Sequence, residues 1–461
     1  MGSPCAQALR RSGFRGRLEH VFEPSSHAVA ALLLRVRELG DALAAYDGLG
    51  ATGAELVELI TELERLKGRA EGAQVAAAVA LDADQRAEQA AAGVPAARRG
   101  QGVGLQVALA RRESHHRGAR HLGLAKVLTT ELPRTLEALR HGRISEWRAT
   151  LVARETACLT REARAHVDRV LGGDVLERAG ERELVAELRR LAYTLEPESV
   201  VARRRRAESE RSVSLRPAPD TMAYLTALLP VADGVAALAA LTSTAATLRS
   251  EGDPRSRGQV MADLLVTRLL GQDDGARPQV PITVNVVVSD EVLLGPVEGP
   301  AEVDGFGPVP ASLVRELVDA APAEQAAVRR LYARPADAAL VAMDSRSRCF
   351  PRALARVIRL RDRTCRTPWC NAPVRHVDHV QPAGSGGPTS AVNGQGLCEA
   401  CNYAKQALGW WQRAAIGPPG RHTVDIITPT GARHRSTAPP LPRPAVLSRL
   451  ELSLERYLHA A

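Results

Sequence analysis

The chain has 461 residues, is 45% hydrophobic and only 3% aromatic, and carries a formal net charge of +9. That length accommodates two or three domains, and the positive balance favours polyanionic partners, nucleic acid first, although a high-GC genome, which enriches Arg over Lys, is the alternative source of the excess. There is no run of about 18 uninterrupted apolar residues and no apolar core in MGSPCAQALRRSGFRGRLEH, so neither a membrane span nor a secretory signal is expected, and the cytoplasm is the expected compartment.

Residues 1–26 lack pattern and are expected to be disordered. From 27 to about 340 the chain reads as a mainly helical domain with a small α+β segment. Long helices are predicted over 27–92 from apolar residues at helical spacing, broken by Pro95 and the glycines around 100–104. Shorter helices follow at about 105–111, 115–128 and 132–140. His141-Gly142 closes the last, and Ser145 is placed to cap a helix over 146–157. Residues 161–171 and 181–193 are helical by the same test. The run Arg203–Arg206 is either a solvated helix face or a phosphate-contacting patch.

RSVSLRPAPDTMAYLTALLP predicts a strand, a turn and a helix. Helices are predicted over 235–248 and 259–270. VPITVNVVVSD, 280–290, alternates apolar and polar residues as a strand does. FGPVPASLVRELV predicts a turn and a helix, and residues 339–343 a strand. A compact module is expected over 343–412, followed at 413–461 by two strands around Thr430-Gly431, a Pro-rich stretch and a C-terminal helix. That helix is amphipathic, so it can pack on the body or on a second copy. No internal repeat is evident.

Chemistry concentrates in residues 365–405. Cys365 and Cys370 form a C-x4-C pair, Cys398 and Cys401 a C-x2-C pair, with 27 residues between them. In a reducing compartment such pairs suit a structural zinc, which would staple a module with little core of its own. Between them lies Val377-Asp378-His379-Val380, which reads as a short strand. His379 is the natural general base. Asp378 offers a hard oxygen ligand to a divalent cation, Mg²⁺ or Mn²⁺, and Asn402 a second. Asn393 can orient the imidazole. Lys405, one helical turn beyond Asn402, can meet a phosphate.

Residues 343–412 hold ten Lys or Arg against four Asp or Glu, an excess beyond the chain average. Arg352, Arg356, Arg359 and Arg363 recur at intervals of four, three and four, so one helix would carry them as a stripe along a phosphate backbone. Trp410 is expected in the small core, with Trp369 and Trp411 flanking the site. His376 would share a strand face with Asp378 and either supports the site or caps a turn.

The sequence V-D-H, then G-G-P-T, Asn393 and L-C-x-x-C-N-x-x-K resembles the HNH endonuclease motif. The resemblance implies a zinc-stapled ββα-metal fold in which a hairpin and a helix grip one cation. By position, His379 resembles the general base, Asn393 the central Asn, and Asp378 and Asn402 the metal ligands, with Asn402 standing where the motif's third letter is His. Cys365, Cys370, Cys398 and Cys401 resemble the structural zinc cysteines of many members. Most of residues 27–442 is similar to bacterial proteins joining a domain of unknown function, number 222, to a C-terminal HNH module. The implied activity is hydrolysis of phosphodiester bonds in DNA, each site cutting one strand, so that a double-strand break would need two sites, as a homodimer could supply. The alternative is a non-catalytic zinc-knuckle protein that binds DNA or regulates; it would keep the cysteines and arginines but have no use for Asp378, His379, Asn393 and Asn402 together.

Overall fold

The computed structural model describes residues 23–270, 286–289, 292–293, 299–303, 306–320, 349–417 and 420–440. The expected disordered start, the strand at 339–343, most of the strand at 280–290 and the C-terminal helix lie outside these residues. The chain divides into two compact units, Met1–Lys67 and Gly68–Ala461. The first contains α1 (Glu23–Ala44) and the beginning of α2 (Gly53–Ala91). Val29, Leu32 and Val36 of α1 are exposed.

In the second unit the remainder of α2 is followed by α3 (Val103–Arg111), α4 (His115–Thr130), α5 (Pro133–Arg140), α6 (Glu146–Glu155), α7 (Arg161–Val170), α8 (Glu181–Leu195) and α9 (Pro197–Ser209). Starts are set by side-chain oxygens. Ser114, Ser145 and Thr160 accept from Arg117 N, Arg148 N and Ala163 N, capping α4, α6 and α7. A buried aliphatic cluster including Val75, Leu128, Leu139, Val152, Leu184 and Leu188 unites α2 with α4 to α8. At their crossing α3 and α4 come close because Gly118 has no side chain: a Cβ there would lie 2.4 Å from Ala108 Cβ and 2.5 Å from Gly104 O.

The Arg203–Arg206 run lies on α9, all of it exposed, with Arg204 3.1 Å from Glu208 and Arg206 3.9 Å from Glu210. β1 (Ser212–Pro217) pairs antiparallel with β2 (Ala223–Leu228). The helix expected after β1 is therefore a second strand: six residues of AYLTAL are too few to show a helical period, and their apolar, branched and aromatic side chains suit a hairpin. α10 (Val231–Ser250) and α11 (Arg257–Leu270) follow. Although its apolar run is interrupted, α10 is, among the described residues, the one helix long and apolar enough to cross a membrane by length and composition. β3 (Val286–Val287), β4 (Pro300–Val303) and β5 (Gly307–Pro310) form an antiparallel sheet capped by α12 (Ala311–Ala320), so the turn expected before that helix includes a strand.

The C-terminal part begins with α13 (Arg352–Asp362), then β6 (His376–His379) antiparallel to β7 (Gly394–Leu397), then α14 (Glu399–Ala404). A sheet of order β10-β9-β8 completes it: β8 (Trp411–Gly417), β9 (Arg421–Ile427) and β10 (Arg433–Thr437). The Thr430-Gly431 turn joins β9 and β10 as expected. The boundary read at 412/413 falls inside β8, whose sheet shares a core of Val380, Val424, Ile426 and Trp410 with the β6 hairpin.

Candidate metal centre and the residues around it

The four cysteines approach from two directions. Cys365 and Cys370 lie on the loop after α13. Cys398 caps α14, accepting from Cys401 N at 3.4 Å, and Cys401 sits in its first turn. All four sulfurs fall within 4.8 Å of one another, a cluster able to hold a metal such as zinc. Thiols this close share protons through sulfur–sulfur hydrogen bonds. Hydrogen bonding to Cys365 pulls Cys370 down to about 7 and Cys398 lower still. Cys365 is pushed up by Cys370, and Cys401 by Cys365. A cation would replace that uneven sharing with four equivalent thiolates.

Asp362 fastens the loop to the hairpin. Buried at the end of α13, it accepts from Gly396 N at 2.7 Å and pairs with Arg361 at 2.7 Å and Arg366 at 3.6 Å. Burial lowers the Arg366 guanidinium to about 10, with Asp362 opposing the shift. Nothing in the local sequence marks Asp362, because its partner strand lies more than thirty residues away.

Asp378 and His379 end β6, and Asn402 and Lys405 lie on and just after α14. Burial works to raise the Asp378 carboxyl, but Lys405 Nζ at 2.7 Å and the His379 N–H at 2.9 Å outweigh it, and its pKa falls below the usual value. Lys405 also donates to His379 O at 2.5 Å, and its buried ammonium is pushed down by desolvation. Lys405 thus turns inward onto the Asp378 carboxylate of β6 instead of outward to a phosphate. Asn402 Oδ1 is buried without a hydrogen-bond partner, as an oxygen aimed at a cation would be.

Asn393 has a different task from the one expected. Its amide donates to Gln381 O at 3.0 Å and Pro388 O at 2.8 Å, and its oxygen accepts from Gln381 N at 2.9 Å. It pins the loop between the strands rather than the imidazole. The His379 Nε2 meets the Thr389 hydroxyl at 2.9 Å, and the Phe350 ring lies tilted against the imidazole with centroids 4.6 Å apart. A threonine ten residues away in a glycine-rich loop carries no readable signal. His376 packs toward Tyr403, ring centroids 6.3 Å apart.

Arg352, Arg356 and Arg359 lie exposed along α13 as one stripe. Arg363 leaves it: the helix ends at Asp362, Arg363 takes φ 59°, and its guanidinium reaches Glu302 at 3.1 Å and Pro440 O at 2.6 Å. The interval of four presumed a helix one residue longer than the buried Asp362 permits. Trp410 joins the core as expected, and Trp369 and Trp411 are exposed.

The cysteine cluster is not self-contained. Cys365, Cys370, Cys401, Leu397 and Ala404 share one buried core with Leu105, Ala108 and Leu109 of α3. Gln101 donates to Tyr403 O at 2.7 Å, and Thr430 to Gln106 at 2.9 Å. A helix some 260 residues upstream thus forms the back wall of the metal centre.

No curated protein and no solved structure matches the chain. A family described as a domain of unknown function (DUF222) matches residues 54–362, ending three positions before the first clustered cysteine. Since 54–362 spans more than half of the 461 residues, the chain belongs to the DUF222 family.

Proposed function

We propose that this chain is an HNH-type, metal-dependent endonuclease that hydrolyses phosphodiester bonds in DNA. The observation that supports it best is the buried, unpartnered Asn402 Oδ1 on a helix beside the strand bearing Asp378 and His379, all within a module held by four clustered cysteines. Asp378, ionised and partly buried, and Asn402 are the residues that would hold a divalent cation, Mg²⁺ or Mn²⁺; when bound, that ion supplies charge stabilisation for the scissile phosphate and its leaving oxygen. His379 takes the proton from the attacking water. Its Nε2 meets the Thr389 hydroxyl at 2.9 Å and its Nδ1 lies 3.8 Å from Asp378 Oδ1. Asn393 keeps the loop, and so Thr389, in place. Arg352, Arg356 and Arg359 supply backbone contacts. Zinc on the four cysteines has a structural role.

The deciding experiment is nicking of supercoiled plasmid with Mg²⁺ or Mn²⁺ by the wild-type protein and by His379→Ala. Wild-type cutting that the ion requires and the substitution abolishes is the expected result. Metal-replete protein that binds DNA but never nicks it would favour the non-catalytic zinc-knuckle reading instead.

A further inference from the structure

Between the helical region and the cysteine knuckle lies a cleft of about 1030 Å³. One wall is the turn from α3 into α4, Arg112–Arg117; the other is Trp369–Arg375 with the exposed side of α14 up to Tyr403. The two walls are held in register by the shared core of α3 and the cysteines and by the Gln101–Tyr403 hydrogen bond.

We infer that this cleft takes the DNA backbone next to the cutting site, so that the DUF222 helices supply one side of the DNA-binding surface through Arg112 and Arg117, facing Arg375. The inference rests on the nuclease reading above and gives that reading's substrate a path. Arg112, Arg117 and Arg375 are all exposed, and among the described residues neither Arg112 nor Arg375 has an acidic partner. Arg117 has only a loose contact with Glu113 at 3.5 Å. Glu113 and Glu399 also line the cleft, but Glu113 is engaged by His121 at 2.9 Å. Cys370 and Cys398 form part of the lining, and four zinc-bound thiolates would carry net negative charge. Phosphates are therefore excluded from the depth of the cleft and contact the guanidinium groups at its mouth.

Position argues the same way. Arg375 immediately precedes β6, three residues before Asp378, or about 10 Å at about 3.3 Å per strand residue. That rise equals about three steps of duplex at 3.4 Å each. Tyr403 and Trp369, 51% and 43% exposed, line the same cleft as the arginines, a mixture suited to sugar and base edges rather than to an acidic protein surface.

The test measures binding of a 30-base-pair duplex, by fluorescence anisotropy over a salt series, to the zinc-loaded full-length chain carrying His379→Ala to prevent cutting. Adding Arg112→Ala, Arg117→Ala and Arg375→Ala should weaken binding at least 10-fold and flatten the slope of log affinity against log salt by about 2–3, since each phosphate contact contributes about 0.9. Lysines at the same three positions should restore the slope, because they keep the charge; a purely structural role would not be rescued this way. If the parent binds with a steep slope and the alanine variant, folded and zinc-loaded, matches it, the cleft is not on the DNA path although the nuclease reading stands. If the parent does not bind DNA at all, both fall.

Discussion

Removing the metal should unfold more than the cysteine loops. Structural zinc contributes about 10–16 kcal/mol in isolated knuckles, against a whole-domain stability of about 5–15 kcal/mol, so a chelator should open the region from Cys365 to Ala404. Leu105 and Leu109 lose their cover at the same moment, each being 2% exposed and packed on that region. Burial of a leucine is worth about 1.5–3 kcal/mol. The two together predict that amide exchange in α3 accelerates by about 10²- to 10⁴-fold, at 1.4 kcal/mol per factor of ten. The assay is hydrogen exchange read by mass spectrometry with and without a zinc chelator, comparing peptides from α3, from α14 and from α7, which lies in the other core. The expected pattern is parallel loss of protection in α3 and α14 with α7 spared. Full protection of α3 while α14 exchanges freely would refute the shared core.

Three further outcomes follow from named contacts. Lys405→Met removes an ammonium that occupies Asp378 Oδ2, so Mn²⁺ should bind about ten-fold more tightly by titration calorimetry; weaker binding would mean that Lys405 orders the site instead. Glu146→Gln should destabilise the fold at pH 7 by about 1–3 kcal/mol and much less at pH 3. Burial opposes ionisation of Glu146, yet His121 at 2.7 Å and Arg111 at 3.2 Å hold its pKa below the ordinary 4.5. Its contribution is therefore complete above that value and is lost as pH falls through the lowered one; equal losses at both pH values in urea melts would contradict this. Gly118→Ala should cost about 1–3 kcal/mol or more by overpacking, because the new methyl meets backbone of α3 that cannot swing aside; an unchanged melting temperature would show that the crossing is looser than described.

Most helices and the Ser145 cap were legible from the sequence because the signals are local: Ser145 precedes an apolar-periodic run, and it caps it. The two cysteine pairs were legible for the same reason, each being a short spacing with a fixed chemistry. β2 was misread because a six-residue apolar run has no period. Thr389, Asp362 and the inward turn of Lys405 were not legible, since each acts on a partner set by the hairpin's closure rather than by nearby residues. Asn393 meets other partners than the imidazole expected: spacing shows that an amide is near the loop, not which carbonyls it meets. Least legible was α3, whose apolar face reads the same whether it covers other helices or sulfur.

That face has an evolutionary consequence. Ala108 also packs on Gly118 of α4, but Leu105 and Leu109 rely on the cysteine module for part of their cover. Without it they would form a greasy patch on an otherwise charged surface, open to aggregation. Relatives that have lost the four cysteines should therefore carry polar side chains at these two positions, and exchanging the C-terminal module between relatives should succeed only when α3 travels with it.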